Sequence, residues 1–202
     1  MKRLIIFASV LFLWSFDSKA PGLTKAEKKA ATTYLQETRD FLQSSIKDLT
    51  KAQMDYKASP ERWSIKECLQ HIAAAENGLW QWTESILKAP ANPEKRTDIK
   101  TTDEAVIQAV TDRSKKATAP PELLPEKSAY TNAMDAFTAF KTARGKLMKY
   151  IRTTDDDMRN HVAETPLWGA LDTYQLVLLT AAHTNRHTQQ INEIKAEAGF
   201  PK

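Results

Sequence analysis

The chain has 202 residues, enough for one domain with a substantial core, and it carries a formal net charge of only +4. Its basic residues are scattered among acidic ones, which argues against a nucleic-acid-binding surface, so we expect no nucleic acid partner. Five glycines and the lack of a clear alternating apolar–polar run argue against a sheet protein. Abundant Ala, Lys, Glu, Gln and Leu at helical spacing instead predict an all-α fold.

The first twenty residues are typical of a secretory signal peptide. A short basic start is followed by an apolar run over residues 4–14, which is too short for a stable membrane span. Small residues suitable for cleavage come next, although Pro21 is a poor neighbour for signal peptidase. We therefore expect a signal peptide over residues 1–20, a single domain over residues 21–202, and export to the periplasm or outside the cell. A retained N-terminal anchor is the alternative.

Helix start signals organise the first half of the domain. The first helix is predicted to begin at Thr24, because Glu27 three residues later completes a capping box. The second helix is predicted to begin at Ser64 with the same pattern, and it ends before Pro90. After a polar linker, the sequence predicts a short amphipathic helix over residues 103–117.

The second half contains two more long helices. The third long helix is predicted from about Thr131 to residue 153, and the fourth begins after Asp172 as N-cap. We expect residues 54–61 and 158–171 to be irregular connectors. Four long helices, with one short helix between the second and the third, predict a four-helix bundle, a fold that places metal sites in its core. The predicted apolar stripe of the third long helix consists of Met134, Phe137, Phe140, Leu147 and Ile151.

The last helix carries two histidines, His183 and His187, one helical turn apart. Residues four apart share a face of a helix, so two imidazoles at this spacing can bind one metal ion. The same face carries Leu176 and Ile191, which predicts that both histidines point into the core. A zincin protease site would need glutamate at position 184, where this chain has Thr184, so that class of enzyme is excluded.

A third ligand has to come from another part of the chain. His71 lies beside the core stripe of the second helix, although a buried histidine satisfied by a hydrogen bond is the alternative. His161 follows three aspartates and is predicted to be a solvated loop residue. Three neutral imidazoles with one open coordination position are typical of catalytic rather than structural metal sites. The open position accepts water, or a thiolate or carbonyl of a substrate.

Four further residues near the histidines are weaker candidates. Glu76 could orient a ligand or act as a catalytic base, or it could be an exposed or helix-paired carboxylate. Cys68, the only cysteine, excludes an internal disulfide and is expected to be a small buried apolar residue. Asn185 and Arg186 lie between the two histidines and are predicted to be surface or interface residues.

Two motifs resemble those of a known family. The segment from Trp63 to Ile72 (WSIKECLQHI), with Glu76 after it, and the segment AHTNRHTQQI of the last helix resemble the DinB-like (DinB/YfiT) superfamily. The resemblance covers about residues 24–198. It implies a four-helix bundle that binds one divalent metal ion, usually nickel or zinc, with manganese or iron as other options. The ligand positions of the family fall on His71, His183 and His187. The resemblance also implies a homodimer, and some members resemble thiol-dependent enzymes.

These observations leave competing hypotheses for the function. The first is a metal-dependent enzyme, hydrolase-like or thiol-transferase-like, that acts on an unknown small-molecule substrate. Reduced thiols are scarce outside the cytoplasm, so the expected export favours hydrolysis over thiol transfer. The second is a non-catalytic bundle that binds a metal or a small molecule without turnover. The third, a purely structural bundle, predicts that the three histidines lie far apart.

Overall fold

The computed structural model describes residues 22–115 and 118–202. The predicted signal peptide at residues 1–20 lies outside this part of the chain, so export stays a prediction. Among the described residues, no helix is both long enough and apolar enough to cross a membrane.

Four long helices and two short ones account for most of the described chain. The long helices are α1 (Lys25–Ser45), α3 (Ile65–Leu87), α5 (Ala133–Thr153) and α6 (Thr173–Lys195), and the short helices are α2 (Lys51–Asp55) and α4 (Asp103–Thr111). The connectors contain short 3₁₀ helices at Pro93–Asp98, Pro121–Leu123, Pro125–Lys127 and Met158–Asn160. The predicted capping boxes at Thr24 and Ser64 are confirmed, because each hydroxyl accepts from the backbone of a glutamate whose carboxylate accepts in return.

The long helices form a four-helix bundle, as the sequence predicts. Both α1 and α3 pack against α5 and α6, so α1 and α3 occupy opposite corners of the bundle. One part of the core lies between α1, α3, α5 and the end of α6, around Phe140 and Ile191. A second part lies between α1, α5 and the start of α6, around Leu35 and Leu147. The predicted stripe of α5 is correct except for Met134, which is 49% exposed.

Helix α6 is the most deeply buried element of the bundle. Of its 23 residues, sixteen are buried, because a further layer covers the face that points away from the bundle axis. That layer is α4, whose Val106 and Val110 pack with Leu176 and Leu179 of α6. The histidine pair therefore lies on a helix with almost no solvated face.

Three local predictions are wrong. Residues 51–55 form a helix, α2, capped by Thr50, although the sequence predicts that a connector begins within this stretch. Helix α4 ends at Thr111 rather than at residue 117, because the carboxylate of Asp112 accepts the Ser114 amide and turns the chain. The predicted connector at residues 158–171 contains an antiparallel hairpin.

The hairpin consists of β1 (Val162–Thr165) and β2 (Gly169–Asp172). Val162 pairs with Asp172 and Thr165 pairs with Gly169, which takes a positive φ of 68° where the chain turns into β2. Strands of four residues are too short for a clear alternating pattern, which explains why the sequence signal was missed. The hairpin leads directly into the N-terminus of α6.

The N-termini of three helices are joined by Arg159, which follows the C-terminal end of α5. Its guanidinium donates to Glu27 at 2.8 Å, to Asp103 at 2.7 Å and to Asp172 at 3.0 Å. These carboxylates belong to the first turn of α1, the first turn of α4 and the N-cap of α6. The Arg159 side chain is 24% exposed, so this cluster is partly solvated. It fixes the end of the bundle where α6 begins.

Candidate metal centre

The three predicted histidine ligands lie together between α3 and α6. One ring nitrogen from each of His71, His183 and His187 lies within 4.8 Å of the other two. The Nε2 atoms of His71 and His183 are 3.1 Å apart. Nitrogen ligands at the usual zinc distance in a tetrahedral site are about 3.3 Å apart, so this pair is already near ligand spacing. A purely structural bundle with separated histidines is therefore excluded.

Local sequence explains how the two helices reach this arrangement. The capping box of Ser64 fixes the start of α3, and His71 follows in its second turn. His183 and His187 lie one turn apart in the middle of α6. Small buried residues, Ala73 and Ala75 on α3, reduce the bulk between α3 and its neighbours, so packed helices can approach closely.

Hydrogen bonds from two of the rings orient their free nitrogens toward the centre. His71 Nδ1 donates a hydrogen bond to the carbonyl oxygen of Leu123 at 2.9 Å. His187 Nδ1 donates a hydrogen bond to Oε1 of Gln190, also at 2.9 Å. A ring that donates from Nδ1 presents an Nε2 lone pair to a metal ion. Partners of this kind are what metal-ligating histidines usually have, so the donor set fits a divalent ion.

The electrostatic environment keeps the imidazoles neutral. Burial lowers the pKa of His187 to about 3, and the neighbouring His71 adds to the effect. Burial also lowers the pKa of His183 well below its ordinary value, with further contributions from His187 and His71. The pKa of His71 is lowered by burial as well, although its bond to Leu123 opposes the shift. Neutral imidazoles are the form that binds metals.

Access to the centre differs from side to side. His71 is 3% exposed and His187 is 9% exposed, whereas His183 is partly exposed. The indole of Trp63 stacks on His187, with ring centroids 6.0 Å apart and 23° between the planes, and its centroid is 5.0 Å from that of His71. Trp63 therefore covers the side of His187, and His183 is the ligand with the largest exposed fraction. The sequence indicated Trp63 only as the first residue of the motif on α3, with no role at the centre.

Glu76 is buried and pairs with a residue that the sequence analysis missed. Its two carboxylate oxygens accept from Nε and Nη2 of Arg144 on α5, at 2.6 and 2.7 Å. The carboxylate is thus neither exposed nor paired on its own helix. In the described part of the chain, no hydrogen bond joins Glu76 to an imidazole of the centre, and its catalytic role stays a prediction. Arg144 could have been found, because it lies four residues after Phe140 and three before Leu147, within the apolar stripe.

Three other residues can be compared with their predictions. Cys68 is fully buried in the apolar core, as predicted, and burial raises the pKa of its thiol. His161 was predicted to be solvated, but it is buried, with its ring nitrogens 2.7 Å from the Asp157 carbonyl and 3.1 Å from the Ala89 carbonyl. Arg186, predicted as a surface or interface residue, is 8% exposed, because it donates to the carbonyls of Val110 in α4 and of Lys115 after it.

The match of the sequence to known proteins agrees with this architecture. Residues 34–191 match the DinB superfamily, and the chain belongs to this family. It is 25% identical over 152 residues to YuaE, an uncharacterized protein of Bacillus subtilis (strain 168). The aligned region covers 75% of this chain and 89% of YuaE.

The fold is also similar to that of a solved structure, YfiT from Bacillus subtilis. The TM-score is 0.59 and the sequence identity 15%, over 89% of this chain and 91% of YfiT. YfiT has been described as a probable metal-dependent hydrolase with an unusual four-helix bundle topology. At this identity the similarity establishes the fold alone.

Proposed function

We propose that this protein is a metal-dependent hydrolase that acts on a small molecule, with one divalent ion bound by His71, His183 and His187. The observation that carries the proposal is the convergence of one nitrogen from each ring within 4.8 Å. Three neutral nitrogen ligands leave one position of a tetrahedral ion open, which is the usual arrangement of catalytic zinc sites. The description of the similarly folded YfiT as a hydrolase supports the same class of reaction.

Nickel or zinc is the ion that we expect at this site, since the resemblance to the family implies either and imidazole ligands suit both. Imidazole nitrogen suits zinc, nickel, copper and iron, whereas magnesium and calcium prefer oxygen ligands. Manganese binds such a site more weakly than nickel or zinc in the general order of divalent affinities. When bound, such an ion supplies Lewis acidity that polarises a substrate carbonyl and lowers the pKa of a bound water molecule.

The residues of the chain itself contribute orientation and access. Leu123 and Gln190 hold two imidazoles in the orientation that a metal ion requires. Trp63 covers the side of His187, so we expect a substrate to approach from the side of His183, the partly exposed ligand. These contacts favour a small substrate over a polymer that would need an open groove.

A non-catalytic metal-binding bundle is the second candidate, and one observation favours it. Hydrolysis usually needs a nearby acid or base, and Glu76, the predicted one, has both oxygens on Arg144. Among the described residues, no carboxylate makes a hydrogen bond to the three imidazoles. Under this hypothesis the protein binds a metal ion or a small ligand without turnover.

Export and a homodimer are also parts of the proposal. Edman sequencing of the protein recovered from cell fractions will locate the N-terminus, and we expect it near residue 21. Light scattering after gel filtration will give the mass, and we expect twice that of one chain. A cytoplasmic protein that starts at Met1 would contradict the first expectation, and a monomer at all concentrations the second.

The proposed function is tested by metal analysis joined to an activity assay. We expect about one nickel or zinc ion per purified chain, lost in His187→Ala and retained in His161→Ala, whose histidine lies outside the centre. Chromogenic esters, amides and phosphate esters then test for hydrolysis before and after removal of the metal, and glutathione with an electrophile tests for thiol transfer. No metal after reconstitution with nickel, zinc or manganese contradicts the proposal, and bound metal without turnover favours the non-catalytic candidate.

A further inference from the structure

The centre of the bundle contains one fully buried cation, Arg144, and each of its hydrogen-bond donors is used. Nε donates to Glu76; Nη1 donates to the Leu35 carbonyl and to Thr38, both at 2.8 Å; Nη2 donates to Glu76 and, at 2.9 Å, to Thr184. A guanidinium has five N–H groups, so these five bonds satisfy it completely. The side chain of Arg144 is 0% exposed and that of Glu76 is 1% exposed. From α5, this single side chain reaches the other three long helices.

One nitrogen of Arg144 links the two helices that carry the histidines. Nη2 is shared between Glu76 of α3 and Thr184 of α6, at 2.7 and 2.9 Å. Thr184 directly follows His183, and Glu76 is five residues after His71, about 7.5 Å along the helix axis. The bridge therefore lies about one and a half turns of α3 from the metal centre and adjoins it on α6.

The metal centre itself offers little to hold α3 and α6 at the correct distance. Within it, α3 and α6 meet through imidazoles: the Nε2 atoms of His71 and His183 are 3.1 Å apart and need a proton or a cation between them, and the ring centroids of His71 and His187 are 4.5 Å apart. A rigid bridge close by would hold the three nitrogens near ligand spacing before an ion binds. Such preorganisation increases affinity, because binding then requires less ordering of the protein.

We propose that Arg144 is a positioning residue for the metal centre, and that it acts through its shared hydrogen bonds to Glu76 on α3 and Thr184 on α6. The inference rests on the proposed metal site and adds a residue that has no contact with the ion. It also assigns Glu76 to orientation of the site rather than to proton transfer. The competing explanation is an ion pair that stabilises the bundle and has no influence on metal affinity.

The most specific test removes the hydrogen bond between Arg144 and Thr184 on α6 and leaves the ion pair between Arg144 and Glu76 in place. Thr184→Val replaces the hydroxyl with a methyl group of similar volume, and Thr184→Ser restores an acceptor. Thr188→Val is a matched control, since Thr188 is also buried and also follows a histidine of the site. Its hydroxyl bonds only to the Thr184 carbonyl of its own helix, at 2.8 Å.

The full-length protein and these three variants are titrated with Zn²⁺ and with Co²⁺, whose visible absorption reports ligand geometry. We expect Thr184→Val to bind about tenfold more weakly, the lower end of effects seen for residues that support metal ligands, with altered cobalt bands. Thr184→Ser and Thr188→Val should retain the affinity and the spectrum of the unmodified protein. Thermal unfolding of the metal-free variants gives the stability of each and separates a loss of fold from a loss of positioning.

The outcomes distinguish the inference from the proposed function. If Thr184→Val and Thr188→Val have the same affinity and spectrum, the inference is overturned while the metal site stands. If Thr184→Ser binds as weakly as Thr184→Val, the hydroxyl is not what matters, and the inference is again overturned. If the unmodified protein binds neither ion, the proposed function fails and the inference fails with it.

Discussion

Two buried polar clusters lie near each other between α3 and α6, and they differ in whether all their hydrogen-bonding groups have partners in the protein. In the Arg144 cluster, the five donors of the guanidinium meet five acceptors and the charge is balanced by Glu76. In the histidine cluster, the Nε2 atoms of His71 and His183 are 3.1 Å apart, and among the described residues no carboxylate makes a hydrogen bond to either ring. The first cluster is satisfied by the protein alone, whereas the second has lone pairs that a cation would satisfy.

The two clusters also differ in their access to solvent. Arg144 and Glu76 are closed off, with side chains 0% and 1% exposed, as expected of a pair that holds helices together. His183 is partly exposed, so the histidine cluster is less enclosed. A closed, neutral cluster can hold helices together, whereas a partly exposed cluster of neutral nitrogen ligands fits the proposed metal site. The bundle contains one of each within a few turns of the same helices.

The largest expected effect comes from breaking the closed cluster. Arg144→Met leaves the Glu76 carboxylate buried without a partner, and we expect a loss of about 3–5 kcal/mol in the free energy of unfolding. Urea denaturation measures it. Arg144→Met combined with Glu76→Leu should recover part of the loss, because no charge is then buried alone. If Arg144→Met is as stable as the unmodified protein, the ion pair of Arg144 and Glu76 is not buried away from solvent as described.

For the histidine cluster, we expect bound metal to increase the free energy of unfolding. At a free zinc concentration of 100 times the dissociation constant, we expect the free energy of unfolding to rise by about 2.7 kcal/mol. The same denaturation experiment with and without zinc measures the increase. His183→Ala should abolish the increase, whereas the His161→Ala control should retain it. Equal stabilisation of both variants would place the bound zinc outside the three histidines.

The cluster around Arg159 provides a third point of comparison, because it is ionic but partly solvated. Arg159→Met removes bonds to three carboxylates, and we expect a loss of about 1–2 kcal/mol, less than at Arg144 because solvent screens the charges. Denaturation at low and high salt measures the loss and its screening. Metal affinity should be unchanged, since Arg159 acts where α6 begins, about 16 Å along the helix from His183. A large fall in affinity would mean that any destabilisation disturbs the centre.

Local signals in the sequence predicted the parts of this molecule that depend on nearby residues. The capping boxes at Thr24 and Ser64 follow from residues three apart, and the pairing of His183 with His187 follows from one helical turn. The approach of His71 could be predicted because its helix has a strong apolar stripe and the two motifs resemble a known family. The capping boxes and the histidine pair needed only periodicity and chemistry, whereas His71 also needed the resemblance to the family.

The residues that were misjudged depend on contacts between distant parts of the chain. Arg186 is buried because α4 and the following segment cover α6, which the helical pattern of α6 does not reveal. His161 is buried because the carbonyls of Asp157 and Ala89 surround its ring. The position of Arg144 within the apolar stripe of α5 indicates burial, but its partner Glu76 lies on another helix and does not follow from local spacing.

Anomalous diffraction will show whether the three imidazoles bind one divalent ion. Crystals grown with zinc or nickel, with data collected at the absorption edge of the metal, would locate the ion. We expect one strong peak per chain, about 2.0–2.1 Å from Nε2 of His71, His183 and His187. A peak at other residues, or no peak between these three nitrogens in metal-saturated crystals, would contradict this expectation.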